Sequence, residues 1–259
     1  MTRPICLIRG GGDLATGTAW RLTRAGLAVI VTELAHPLTV RRTVALSTAV
    51  DTGTTDVEGM IGRLATTPRE AREIALAGDV AVVVAPQLID VGATVVIDAR
   101  LAKRNIDTTI DDAPLVVALG PGFTAGVDCH AVVETLRGPR LGRVLWHGCA
   151  AADTSTPGRV GGIGAERVVR APADGAVSWA CTIGSRVREH DLLGAVAGRE
   201  LRAPFDGVVR GLIGDGREVT AGLKIGDIDP RCDVACDEIS DKALAVGGGV
   251  VEAVLTWLN

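Results

Sequence analysis

Gly10-Gly11-Gly12-Asp13 and Gly120-Pro121-Gly122 are the stretches of this chain where backbone and side chain together could handle a ligand. Each follows a short apolar run, Ile5 to Ile8 or Leu115 to Leu119, and each leads toward a helix-type pattern. Glycines let the backbone approach a phosphate closely, and the free N–H groups of a helix N-terminus attract its charge. Gly10-x-Gly12-x-x-Ala15 fits the dinucleotide fingerprint, whose last position is Gly or Ala. Glu33, at the end of the next apolar run, stands where an acid accepts from a ribose hydroxyl. Asp13 argues the other way, because it puts negative charge inside the turn and as a helix cap would bind nothing. Arg41 and Arg42 add guanidinium forks suited to phosphate or carboxylate, or are solvated surface charges.

Acid–base chemistry has one candidate constellation, Asp128, His130 and Glu134. Ala131 to Leu136 reads as a helix, which would put His130 and Glu134 on one face at i, i+4 spacing. That pair could move protons or hold a metal; a surface or structural pair is the plainer reading. There is no His-Glu-x-x-His, so a zinc protease is excluded and no metal site is expected. Six cysteines are scattered without Cys-x-x-Cys spacing, and buried inert thiols are expected.

The elements that must position these residues are built from Val, Leu, Ile and Ala, because aromatics are only 2% and Tyr is absent. A content of 47% hydrophobic and 22% charged residues is that of a globular chain, and 259 residues suffice for one large domain or two modest ones. Twenty-four arginines stand against three lysines, with a net charge of −4 and no basic tract, so nucleic acid is not an expected partner. No secretory signal precedes the first apolar run and no apolar run reaches the roughly 18 residues of a membrane span, so a cytoplasmic location without membrane contact is expected. Val80 to Ala85, Val95 to Asp98 and Leu115 to Leu119 read as buried parallel strands, and Arg69 to Ala77 as a helix stopped by Gly78. Their alternation predicts a Rossmann-like wound parallel sheet over residues 1–165.

From residue 166 to 230 the chain repeats itself. Ala171-Pro172-Ala173-Asp174-Gly175 returns as Ala203-Pro204-Phe205-Asp206-Gly207, and Gly184-Ser185-Arg186-Val187 as Gly216-Arg217-Glu218-Val219, at an offset of 32. Two half-motifs, each too small to bury its own apolar face, predict a small two-fold β-barrel. The pattern resembles the lipoyl and biotinyl carrier fold, the barrel-sandwich hybrid. The connection from Gly194 to Leu201 has no lysine to modify, so the resemblance implies a module that packs, pairs subunits into a homo-oligomer or covers the first domain's site. Residues 231–259 are expected to return to the α/β domain as a helix, although Gly247-Gly248-Gly249 weakens it.

The order of several motifs is similar to one family over nearly the whole chain. These are Gly-Gly-Gly-Asp-Leu-Ala-Thr-Gly at residues 10–17, Arg41-Arg42, Val57-Glu58-Gly59 and Gly120-Pro121-Gly122-Phe123. Asp128-x-His130-x-x-x-Glu134-Thr135, Leu141-Gly142-Arg143, Lys224-Ile225-Gly226-Asp227, Asp229-Pro230-Arg231 and Ser240-Asp241-Lys242 continue it. The order resembles the YqeB-like family, accessory proteins of the selenium-dependent molybdenum hydroxylase system. The resemblance implies a maturation factor for a molybdenum hydroxylase client, binding a nucleotide-bearing ligand such as molybdopterin dinucleotide. Gly10 to Asp13, Glu33, Arg41 and Gly120 to Gly122 would surround that ligand. An NAD(P)-dependent oxidoreductase using His130, and a non-catalytic scaffold, are the competing expectations.

Overall fold

The computed structural model describes residues 3–154 and 158–259. It divides into two compact units, one of Met1–Ala35, Ala45–Thr154 and Ile239–Asn259, the other of His36–Val44 and Ser155–Glu238.

The first unit begins with β1 (Ile5–Arg9), α1 (Asp13–Arg24) and β2 (Ala28–Glu33). After α2 (Ala49–Thr52) come β3 (Thr54–Val57), β4 (Met60–Ala65), α3 (Pro68–Ala77) and β5 (Val80–Val84). Then follow β6 (Val95–Asp98), β7 (Leu115–Leu119), β8 (Thr124–Ala125), β9 (Ala131–Val133), β10 (Val144–Leu145) and β11 (Gly148–Cys149). The last element is α4 (Asp241–Leu258). Nine strands form one sheet in the order β10-β9-β7-β6-β1-β2-β5-β4-β3. Its middle is parallel, but β3 with β4 and β9 with β10 run antiparallel. Local signals explain the helices. Thr67 Oγ1 accepts from Glu70 N at 3.1 Å, Pro68 opens α3, and Gly78 closes it at φ +112°.

The expected Rossmann-like sheet is corrected in this unit to a large mixed sheet with few helices. Residues 85–94 and 99–114, which should carry crossover helices, hold no α-helix. Pro86, Gly92 and Pro114 interrupt both stretches. The expected helix over 131–136 is instead β9, where the β-branched Val132 and Val133 extend beside β7 and are fully buried. One sheet face, with Leu7, Ile30, Val96 and Val116, packs on Ala71 and Ala75 of α3. The other carries α1 and α4, which pack along each other. Among the described residues no helix is long and apolar enough to cross a membrane.

The second unit holds β12 (Val168–Arg170), β13 (Gly175–Trp179), β14 (Arg186–Val187) and β15 (Leu192–Val196). It continues with β16 (Arg199–Arg202), β17 (Gly207–Leu212), β18 (Glu218–Val219) and β19 (Lys224–Asp229). The expected barrel is corrected to two four-stranded antiparallel sheets, β12-β19-β17-β14 and β16-β15-β13-β18, over one apolar core. The repeat explains the pairing, because its two halves exchange short strands. β14 of the first half pairs with β17 of the second, and β18 of the second with β13 of the first. Neither half could therefore close alone. The Ala197-Gly198 turn joins β15 to β16 with both residues at positive φ, the geometry of a two-residue hairpin.

Candidate functional site

In an open sheet with parallel strands, ligands bind beyond the carboxyl ends of the strands where the order reverses, and here that point lies at β1, between β2 and β6. Gly10 takes φ +96°, open to glycine, and turns the chain into α1. Two donors of the turn are used within the protein, the first being Gly10 N, which donates to Thr32 O at 2.8 Å. Gly11 N donates to Glu33 Oε2 at 2.8 Å, and Leu34 N donates to Glu33 Oε1 at 2.7 Å. Ser47 N donates to Gly11 O at 2.9 Å, and a Cβ on Gly11 would stand 2.9 Å from that nitrogen. Glu33 thus fills the turn it was expected to complete as a ribose acceptor. Gly12 is the helix N-cap without a side-chain bond, and Asp13 is the first helical residue, placed favourably for the helix dipole.

The reversal point is filled in the same way. Arg9, 2% exposed at the end of β1, donates to Thr108 Oγ1 at 3.0 Å and pairs with Asp107 at 2.9 Å. Thr108 Oγ1 donates to Asp98 Oδ2 at 2.7 Å, and Arg100 bridges Asp98 and Asp107 at 2.5 and 2.8 Å. The Arg9 hydrogen bond leads the causes that hold the Asp107 carboxyl below its usual range. Where a pyrophosphate would lie, the 99–112 segment has supplied its own ions.

The acid–base trio is dispersed. His130 precedes β9 and Glu134 follows it, so about 13 Å of extended chain separates them, whereas a helix would have stacked them. His130 Nδ1 accepts from Val116 N at 3.0 Å, which places the ring proton on Nε2 in the neutral tautomer. The ring lines a cavity of about 770 Å³ with Leu88, Val91, Ala93 and Pro114. Asp128 is tied to Thr124 N at 2.7 Å and to Asn105 at 3.2 Å. Glu134, 3% exposed, accepts from Thr135 N, Leu136 N and Ala151 N, each at 2.7 Å. Arg41 lies in the second unit and donates to Glu238 O at 3.0 Å.

Within the first unit, the charges of several of the remaining groups act on one amine, that of Lys242. Ser240 Oγ caps α4 by accepting from Ala243 N at 3.1 Å, which sets Lys242 in the first turn. Burial, reinforced by the charges of Arg137 and Lys103, holds the Lys242 ammonium below the usual lysine value; Asp13 and Glu134 oppose the shift. Arg137 is itself held by Asp241 through two bonds at 2.7 and 2.8 Å. The second glycine turn borders this group, since a Cβ on Gly120 would strike Thr135 Oγ1 next to Glu134. Lys103 pairs with Asp153 at 3.4 Å. Of these groups, Asp13, Glu134 and the Gly120 turn are expected site residues, whereas Lys242 enters the sequence reading only as part of the Ser240-Asp241-Lys242 motif. Its available signal was chemical: in a chain that uses Arg as its default cation, a Lys keeps an amine able to lose its proton.

Among the described residues no group of three or more His, Cys, Asp or Glu side chains is arranged to hold a metal. Burial pushes the Cys6 and Cys129 thiols up to about 12, the environment of inert cysteines.

No family model matches the chain. It is 47% identical, over 98% of its length, to an Escherichia coli K12 protein described as "Uncharacterized protein YqeB", and it spans 48% of that protein. The resemblance to YqeB therefore extends over the whole chain, and nothing in it concerns a molybdenum hydroxylase. The solved structures with similarity include an aspartoacylase family protein from Mesorhizobium loti, 15% identical, covering 89% of this chain and 86% of that one, with a TM-score of 0.28. Another is a succinylglutamate desuccinylase/aspartoacylase from Rhodobacter sphaeroides, 17% identical, covering 88% and 86%, with a TM-score of 0.27. At such scores the likeness assigns no residue a role. None of these proteins is described as a molybdenum-cofactor maturation factor or a nicotinamide-dependent enzyme. With the glycine turn and the reversal point filled by Glu33 and by Arg9 with its partners, both of those expectations are withdrawn.

Proposed function

We propose that the α/β unit acts on a small carbonyl-bearing metabolite through the amine of Lys242. One observation carries this reading: an ammonium disfavoured by burial and by the charges of Arg137 and Lys103, in the first turn of α4 behind the Ser240 cap. A lysine so placed offers a larger neutral fraction near pH 7 than an ordinary surface lysine, which is what a nucleophile or general base requires. Glu134, fixed by three backbone N–H groups, sets the local field.

With three lysines in the chain, labelling by trinitrobenzenesulfonate and peptide mass mapping resolves each amine separately. The pH of half-modification of Lys242 in the folded protein should lie below that of the same residue in urea. Equal values in the two states would remove the basis of the proposal. A thermal-shift panel of small oxo acids and aldehydes then identifies the ligand class, and Lys242→Met should abolish the response of any compound that stabilises the parent.

A further inference from the structure

The cavity beside His130 is a feature of the α/β unit that the chemistry of Lys242 leaves unused. It lies at the amino ends of β6, β7 and β9, whereas the Gly120 turn follows the carboxyl end of β7. Its origin is the absence of crossover helices. Residues 85–94 and 99–114 hold no α-helix, and loops from both stretches form its walls. Leu7 of β1 and Val96 of β6 make the floor, and Leu88, 36% exposed, leaves an apolar side chain open at the wall. A volume of about 770 Å³ falls within the roughly 300–1,000 Å³ of pockets that hold small organic ligands, and such pockets pair apolar walls with a few polar groups.

The polar groups here are one donor and three acids. His130 Nδ1 is occupied by Val116 N at 3.0 Å, so the ring proton sits on Nε2; that nitrogen has no hydrogen-bond partner among the described residues and is reached by solvent. Asp90, Asp111 and Asp112 line the cavity, and among the described residues no lysine or arginine does. Asp112 accepts from Thr109 Oγ1 at 2.7 Å and faces Arg9 at 4.0 Å, while Asp90 accepts from Gly92 N at 3.0 Å. Arg72 of α3 reaches the same wall, where it donates to Val91 O. Asp111 is exposed and makes no hydrogen bond or ion pair among the described residues. The cavity therefore offers apolar surface, one free N–H and a carboxylate that no cation neutralises.

We infer that this cavity binds a small organic ammonium. Its apolar body would cover Leu7 and Val96, an oxygen of the ligand would accept from His130 Nε2–H, and its ammonium would stand at Asp111. L-phenylalaninamide carries all three features. N-acetyl-L-phenylalanine keeps the ring and a carbonyl but has a carboxylate in place of the cation. Equilibrium dialysis against the full chain at low ionic strength should give one saturable site for the first compound and none for the second. Asp111→Asn, at an exposed position, should weaken binding about two- to fivefold, and added salt should shrink the difference. His130→Asn keeps an oxygen to accept from Val116 N but has no group at the place of Nε2, and should weaken binding about two- to tenfold. Lys242→Met should bind as the parent does, which separates this cavity from the amine of α4. Binding of neither compound, or equal binding of both, would overturn the inference. Unchanged affinity in either folded cavity variant would overturn it too, as would a loss confined to Lys242→Met.

Discussion

Lys242 shows how a residue's chemistry can oppose its stability. Its ammonium is disfavoured in the folded chain by burial, Arg137 and Lys103, so the folded state sheds that proton at lower pH than the unfolded one. Between the folded value and the unfolded value near 10.4, the unfolded chain binds more protons, and stability rises with pH. Below that window the residue's full cost is present. Lys242→Met should therefore melt above the parent at pH 7, with a gap that narrows as pH approaches about 10. The gain should not exceed a few degrees, because solvent screens a partly exposed amine. Melting curves of both proteins across this range test the sign; a variant that melts lower than the parent at every pH would mean that Lys242 is structural. No pattern of spacing exposes this residue, since its burial and its two cationic neighbours come from segments more than a hundred residues apart.

At the scale of elements, α4 is the most instructive case, because Gly247-Gly248-Gly249 should weaken any helix. The three glycines do different things. A Cβ on Gly247 would lie 2.6 Å from Gly17 O in α1, and one on Gly249 would collide with Gly142 O. A Cβ on Gly248 meets nothing within 4 Å. Gly249→Ala should accordingly cost several kcal/mol through a backbone collision, whereas Gly248→Ala should stabilise by about 0.5–1 kcal/mol, the helix propensity difference. Urea unfolding of the two variants gives both signs in one experiment, and equal effects would contradict the close approach of α4 to the backbone at Gly142. The sequence shows the helix and its weak point but not the neighbours that make two of the three glycines necessary. It shows β1, α1 and β2 well, because a buried strand, a glycine turn and an amphipathic run are local features. It misleads at β9, where six residues of mixed apolar character fit a helix as well as a strand, and only the free edge of β7 decides. The glycine turn misleads for a related reason. Its shape is local, but its occupant, Glu33, arrives from the next strand.

At the scale of the molecule, the first unit is assembled from three separate stretches, and the last of them returns after the whole β unit has been traced. The 32-residue repeat is legible because both halves are written in one run, and a return of residues 231–259 to the α/β domain is expected from the sequence as well; that His36–Val44 belongs with the β unit has no such mark. The return of α4 has an energetic consequence. Val246, Val250 and Val254 of α4 are fully buried, as are Ala243 and Ala253. At about 1.5–3 kcal/mol for each buried Val, the three valines contribute an amount comparable with the roughly 5–15 kcal/mol that holds a domain folded. A chain ended at Glu238 should therefore lose the cooperative transition of the α/β unit and expose the surface of α1 that α4 covers. Trp20 on α1 reports this unit and Trp179 on β13 reports the other, so variants with Trp20 or Trp179 as the single tryptophan follow each by fluorescence during urea unfolding. The Trp20 signal should be unfolded or broadly non-cooperative in the truncated chain and cooperative in the full one. Adding residues 239–259 as a separate peptide should restore part of the transition in proportion to its concentration. A truncated chain whose Trp20 transition matches that of the full chain would show that α1 and the sheet close without α4, and the assignment of this helix to the core of the unit would fail.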